Sequence, residues 1–304
     1  MAILRSLTLF SALLLLASQV GAATRRPGVR PQASVEVYAG RNVSVPAGLD
    51  LGMDNNYAFI DLGSSTLGWN SGPVAGSVLF GLGLKANLSG GNNGGLSDGG
   101  VLFHDSSANI SGSLQNPITQ SLVSNSTTQA AATIAQNVSN FASSLAATQT
   151  FTTINNTKTI TGNGGLNVID VANIQNAKLT LSGTANDFFV FNVSGAVNTN
   201  QPMTLTGGLT AANILFNLTG TGTVFQTSGG DVSYGTYLAV NGGKFQFSNL
   251  NLTGRLINIG GDVQLVSGSS IPVVPVPEPG MFGLVAVGTL LLAGLRRKTG
   301  SQRP

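Results

Sequence analysis

The 304-residue chain contains no cysteine. No disulfide staples it and no thiolate holds a metal, although an oxidising compartment would have permitted bridges. Histidine is present only as His104, which removes any His-cluster zinc centre. Charge is scarce as well, at 8% of residues, yet a 42% hydrophobic share is too high for a disordered chain. The isoelectric point near 9.4 suggests a nucleic-acid partner until the charges are located. Between Pro31 and Pro275 six basic residues face ten acidic ones, which leaves the core four charges negative. The positive balance belongs to the two ends and to Arg25, Arg26 and Arg30, so no basic stripe remains for phosphates.

What is abundant is glycine, 41 residues of it, with Asn, Ser and Thr standing where charge is missing. That composition suits short strands joined by tight turns. A motif of Leu, Ile or Val, then Ser or Thr, then Gly recurs along the chain. It stands at Leu181-Ser182-Gly183, Val193-Ser194-Gly195, Leu205-Thr206-Gly207 and Leu218-Thr219-Gly220, among other places. Short strands at this spacing mean either a sandwich or a solenoid, and the stacking of like residues in successive coils favours the solenoid. Candidate strands are Lys178 to Leu181, Phe188 to Val193, Met203 to Leu205, Ile214 to Leu218 and Tyr237 to Val240. Period-two alternation puts Phe189, Phe191 and Val193 on one face. The Asn before many of the motifs suits a strand corner.

One stretch has a different period. Ser126 to Ala147 carries Ile134, Val138, Phe141 and Leu145 at helical spacing. A single amphipathic helix is predicted there, with Ser126 and Gln129 as a capping box and its apolar stripe against the β structure.

The ends read as targeting segments. Arg5, the apolar run around Leu13 to Leu16 and the small residues Gly21, Ala22 and Ala23 form the three zones of a secretory signal peptide. At the other end, Pro277-Glu278-Pro279 precedes a stretch from Met281 to Leu295 whose one polar side chain is Thr289. Arg296, Arg297 and Lys298 then follow. The prolines halt the preceding fold, and the apolar stretch suits lipid although it is short for a full span. The basic cluster should stay cytoplasmic. This tail resembles the PEP-CTERM sorting signal of Gram-negative bacteria. The resemblance implies an exosortase-like membrane protease and signal peptidase as processing partners. It also implies an inner-membrane intermediate, then the cell envelope surface or the extracellular space.

The central region resembles the ice-binding-like fold of microbial secreted proteins. The likeness is carried by Thr159 to Val168, Asn186 to Val193, Ala212 to Leu218, and Tyr234 to Ala239 with Leu252 to Ile257. It implies a mainly β chain, an irregular right-handed β-solenoid with one long flanking α-helix. The expected domains are a signal peptide over 1–23, a linker over 24–38, the solenoid over 39–271 and the sorting segment with its membrane helix over 272–304. A related surface-protein family with similar repeats and C-terminal anchors fits nearly as well.

Converging catalytic groups are lacking. His104 lies beside Asp105, Ser106 and Ser107, but adjacency in sequence does not build a triad. Asp170, Asp187, Asp231 and Asp262 are spread singly over the repeats, and Lys244 and Arg255 are equally isolated. No spacing of Asp98 or Asp105 matches a calcium loop. No enzyme activity and no cofactor are expected. The expected role is structural or adhesive at the cell surface, with exopolysaccharide as a partner. Ice binding is the alternative, and a polysaccharide-active enzyme a more distant third reading. Ice binding draws on Thr157, Thr159 and Thr161, on Thr204 with Thr206, and on Thr219, Thr221 and Thr223, whose alternation aims hydroxyls to one side of a strand. Lys158, Phe225 and Gln226 are expected to interrupt such an array.

Overall fold

The computed structural model describes residues 34–272, apart from 39, 40, 90–93, 116, 230 and 267. The expected signal peptide, Pro277, Glu278, Pro279, Arg296, Arg297 and the expected membrane helix lie outside the described residues. Among the described residues no helix is long and apolar enough to cross a membrane.

In chain order the first strands are β1 (Ser34–Tyr38), β2 (Arg41–Val45), β3 (Tyr57–Leu62), β4 (Thr66–Trp69), β5 (Pro73–Ala75) and β6 (Ser77–Phe80). Next come β7 (Lys85–Ser89), β8 (Gly95–Ser97), β9 (Leu102–His104), β10 (Asn109–Ser113) and β11 (Ser121–Val123). The helix α1 (Asn125–Ser144) separates these from β12 (Gln149–Ile154), β13 (Lys158–Thr161), β14 (Leu166–Gln175), β15 (Leu179–Ser182), β16 (Phe188–Val193) and β17 (Val197–Thr199). The last are β18 (Thr204–Thr206), β19 (Ile214–Leu218), β20 (Thr223–Thr227), β21 (Val232–Ala239), β22 (Lys244–Ser248), β23 (Asn251–Ile259) and β24 (Val263–Val266).

β1 and β2 pair antiparallel, and every other described strand pairs parallel. The stack is a β-solenoid with three rows of strands. The first row runs β12, β14, β16, β19, β21, β23, β3, β6, β9, β11. The second runs from the end of β14 through β17, β20, β22, β24, β4, β7 and β10. The chain therefore enters in mid-stack and winds to one end at β11. Helix α1 carries it to the other end, from which it winds back until β23 meets β3, with Leu256 opposite Phe59. A 20-residue helix is about 30 Å long, which matches about six strand spacings and so the distance from β9 to β16.

Two cores result. Inside the solenoid lie Phe59, Trp69, Phe189, Phe191, Phe216, Phe225 and Phe245. Phe191 stacks on Phe216 at 4.6 Å, and Phe216 on Tyr237 at 4.4 Å. Outside the first row a second core forms where Ile60, Leu79, Val190, Leu215, Leu238 and Ile257 meet the helix. β16 is buried on both faces over most of its length, so its sequence is apolar throughout except at Asn192.

The helix differs from expectation in its ends and at Phe141, while Val138, Ile134 and Leu145 do pack against the sheet. It starts at Asn125 behind Ser124, whose hydroxyl donates to Thr127 Oγ1 at 2.6 Å, rather than at a Ser126–Gln129 box. The buried stripe is Ala131, Ala135, Val138 and Ala142 with Thr128 and Ser139. Ile134 and Leu145 sit at its edge, and Phe141 is 38% exposed with its ring laid over Gly48. The cause is steric: the sheet already supplies bulky Leu and Ile, so only small helix residues let the two surfaces close. Predicted strands Phe188 to Val193 and Ile214 to Leu218 have the observed bounds, and Tyr237 to Val240 overlaps the end of the longer β21.

Candidate functional site

The third side of the solenoid carries β13, β15 and β18 as a separate parallel sheet. Their register aligns Ile160, Leu181 and Leu205, which point into the interior. The residues on either side therefore point outward as two columns, Thr159–Thr180–Thr204 and Thr161–Ser182–Thr206. Rungs in such a ladder are about 4.8 Å apart, and the two columns about 7 Å. Thr159, Thr161, Thr204 and Thr206 are exposed, while Thr180 and Ser182 are half-buried. The result is a grid of six small hydroxyl side chains on three parallel strands, with three aliphatic residues beneath it.

Four of the eight threonines singled out from sequence thus meet on one surface. Thr157 is exposed in the turn before β13. Thr219 and Thr221 occupy the turn from β19 to β20 and Thr223 opens β20, so the three do not share one strand face, and the Thr219 hydroxyl donates to Val193 O at 3.2 Å. Thr180 and Ser182 were not among the sequence candidates. Their alternation about Leu181 was visible, but the coil-to-coil register that sets them between two threonine pairs was not. Phe225 is buried in the interior and Gln226 belongs to the second row, so neither interrupts the grid. Lys158 borders it, with its ammonium over the Phe151 ring at 4.6 Å.

A second regular column runs down the second row. Gln175, Asn198, Gln226, Gln246, Gln264, Gly68, Asn87 and Ser111 are successive register partners. Lys244 stands at its edge, not isolated but paired with Asp262 at 3.1 Å. Thr66 N also donates to Asp262, and together with Lys244 it holds that carboxyl below its usual range.

The acidic residues serve the fold. Buried Asp105 accepts hydrogen bonds from Ser107 N at 2.9 Å, Ser107 Oγ at 2.8 Å and Thr128 Oγ1, which lower its pKa. The Ser107 hydroxyl thus donates to Asp105 and not to His104. Burial pushes Asp187 up, but hydrogen bonds outweigh it: Thr184 N at 2.8 Å, Gly164 N at 2.7 Å, and the side chains of Asn167 and Thr184. Among the described residues no group of three or more His, Asp or Glu side chains is placed to hold a metal.

No protein-family model matches the chain, and no curated protein matches it in sequence. Solved structures do share the fold. An ice-binding protein from an Arctic yeast is similar over 76% of this chain and 96% of its own, at 18% identity and a TM-score of 0.53. One from the Antarctic ascomycete Antarctomyces psychrotrophicus is similar over 75% of this chain and 98% of its own, at 17% identity and 0.50. A third, from an Antarctic bacterium of the Flavobacteriaceae, is similar over 77% of this chain and 48% of its own, at 19% identity and 0.51. These neighbours correct the expected structural or adhesive role. That reading rested on the sorting tail and on the lack of a chemical site, whereas the neighbours of this fold are ice-binding proteins.

Proposed function

We propose that this chain binds ice, and that the hydroxyl grid of β13, β15 and β18 is its contact surface. The observation that carries the reading is the alignment of Thr159, Thr180 and Thr204 with Thr161, Ser182 and Thr206 on three adjacent parallel strands. Ice presents a lattice of fixed oxygen positions, so a surface holds it by offering many weak contacts at a matching repeat. A parallel ladder supplies that repeat through its backbone, at about 4.8 Å per rung. Threonine suits the task because its β-branch restricts χ1, so little rotamer freedom is lost when water around it orders. Fold likeness to ice-binding proteins supports the reading, as does the absence of a clustered acid, base or metal site among the described residues.

Binding ice is useful outside the cell, and the two ends fit that location. The three-zone segment over 1–23 supports export through signal peptidase. Pro277, Glu278 and Pro279 with Arg296 and Arg297 support sorting by an exosortase-like protease, by way of an inner-membrane intermediate. The test of binding is partition of the purified full chain into a slowly growing ice front. Enrichment in the ice relative to a co-dissolved inert protein supports the reading, and exclusion to the level of that protein defeats it.

A further inference from the structure

The far end of the solenoid holds a groove that the ice-binding reading does not use. It lies beside the C-terminal turn of α1, on the first row, and is open to solvent with a volume of about 400 Å³. Ser143, Thr150, Phe151, Asp170, Asn192 and Thr219 line it. Thr150, Asp170 and Asn192 are register partners on β12, β14 and β16, so their side chains form one outward column. Where that column continues it turns apolar, through Leu238, Ile257 and Ile60, and is covered by the helix. The groove is the portion that the helix leaves open.

Its hydrogen-bonding capacity is specific. Asn192 Nδ2 donates to Asp170 Oδ1 at 3.2 Å and to Ala142 O at 3.0 Å, and Asn192 Oδ1 accepts from Asn217 Nδ2 at 2.9 Å. Asn192 is thereby committed, and it fixes the Asp170 carboxylate with Oδ2 left to accept. The Ser143 oxygen accepts from Asn217 Nδ2 at 2.9 Å, which leaves its own O–H to donate. The Thr219 hydroxyl spends its proton on Val193 O and keeps a lone pair. A ligand that fits must present several donors and acceptors on one small rigid frame. It must carry no negative charge, because the one charged group lining the groove is a carboxylate. A pyranose sugar meets both requirements, and the volume lies within the range of small-molecule sites.

We infer that this groove binds a pyranose, with Asp170 accepting from its ring hydroxyls. The inference is independent of the hydroxyl grid, which lies on another side of the solenoid. Calorimetric titration of the full chain with D-glucose, D-galactose and D-mannose is the test. Saturable binding of at least one in the millimolar range or tighter is expected. Asp170→Asn keeps the side-chain shape and the Oδ1 acceptor, and is expected to weaken that binding about tenfold or more. Thr150→Val is expected to weaken it less, with both variants keeping the parent melting temperature and ice partition. Dextran, galactan and mannan then separate the sources. Competition by the polymer points to a polysaccharide and its absence to the free sugar, and either outcome upholds the groove. No saturable binding of any of the three sugars overturns the inference, as does an Asp170→Asn variant that binds as tightly as the parent.

Discussion

Ser139 and Asn217, 78 positions apart, exchange two hydrogen bonds across the helix–sheet interface. The Ser139 hydroxyl donates to Asn217 Oδ1 at 2.7 Å, and Asn217 Nδ2 shares its two N–H groups among Ser139 O at 3.2 Å, Ser143 Oγ and Asn192 Oδ1. Both residues are buried, so the pair fixes where along the stack the helix sits, which a stripe of alanines alone leaves loosely defined. Asn217→Ala strands the Ser139 hydroxyl and removes the bridges to Ser143 and Asn192. A loss of about 2–3 kcal/mol in stability is expected, measured by denaturant unfolding of the full chain.

Buried carboxyls without partners give the protein an unusual pH dependence. Burial raises the Asp54 carboxyl to about 7 and that of Asp231 to about 6, and neither carboxyl has a hydrogen-bond partner among the described residues. A carboxyl whose pKa is higher in the folded state than in the unfolded one binds its proton more tightly when folded. Its contribution is complete below about pH 4 and is lost as pH rises towards 6 and 7. Asp105, Asp187 and Asp262, with lowered pKa values, act in the opposite sense, losing their contribution as pH falls below about 4. The melting temperature should therefore peak in mildly acidic buffer and decline towards neutrality. Asp54→Asn should flatten that decline, by an amount on the order of a few kcal/mol at neutral pH. Melting curves between pH 4 and 8 show whether it does.

Asp187 ties the loop before β14 to the loop before β16. Its two oxygens accept from Gly164 N and Asn167 Nδ2 on one side and from Thr184 on the other. Asp187→Asn replaces one of those acceptors with a donor facing other donors. A cost of about 2–3 kcal/mol is expected, with faster amide exchange at Gly164. Uniform exchange throughout the chain would argue against so local a role.

Gly254 pairs with Gly235 at the corner where the third side turns into the first row. Gly254 has φ of +152°, and a Cβ there would overlap the Gly235 carbonyl. Gly254→Ala is expected to break the β21–β23 ladder and give a chain without a cooperative melt. Ser248→Ala, at a half-exposed rung of β22, should melt as the parent does.

Much of this fold is legible in local sequence, because each strand carries its own alternation and each turn its own glycine. Phe189, Phe191 and Val193 do share the interior face. The order of the coils is not local. Nothing near Phe59 or Leu256 announces that they are partners, because that pairing depends on the helix first carrying the chain to the far end. On the helix, the spacing of Ile134, Val138 and Leu145 marks the packed side, but Phe141 departs from it: hydrophobicity favours Phe141, and the available space favours Ala142. The asparagines expected at corners prove at Asn192 and Asn217 to be the polar seam under the helix. The grid was half legible. Thr159 with Thr161 and Thr204 with Thr206 stand out, while Thr180 and Ser182 join them only through the register.

The most direct measurement is thermal hysteresis of the full chain beside two variants of equal melting temperature. Thr180→Tyr with Thr204→Tyr raises bulky rings on two adjacent strands of the grid, whereas Gln246→Tyr does the same on the amide column of the second row. Hysteresis in the parent, its loss in the double variant and its retention in Gln246→Tyr are expected. No hysteresis in the parent at any concentration would contradict ice binding itself. Hysteresis that survives the grid substitutions and disappears with Gln246→Tyr would contradict the assignment of the contact surface.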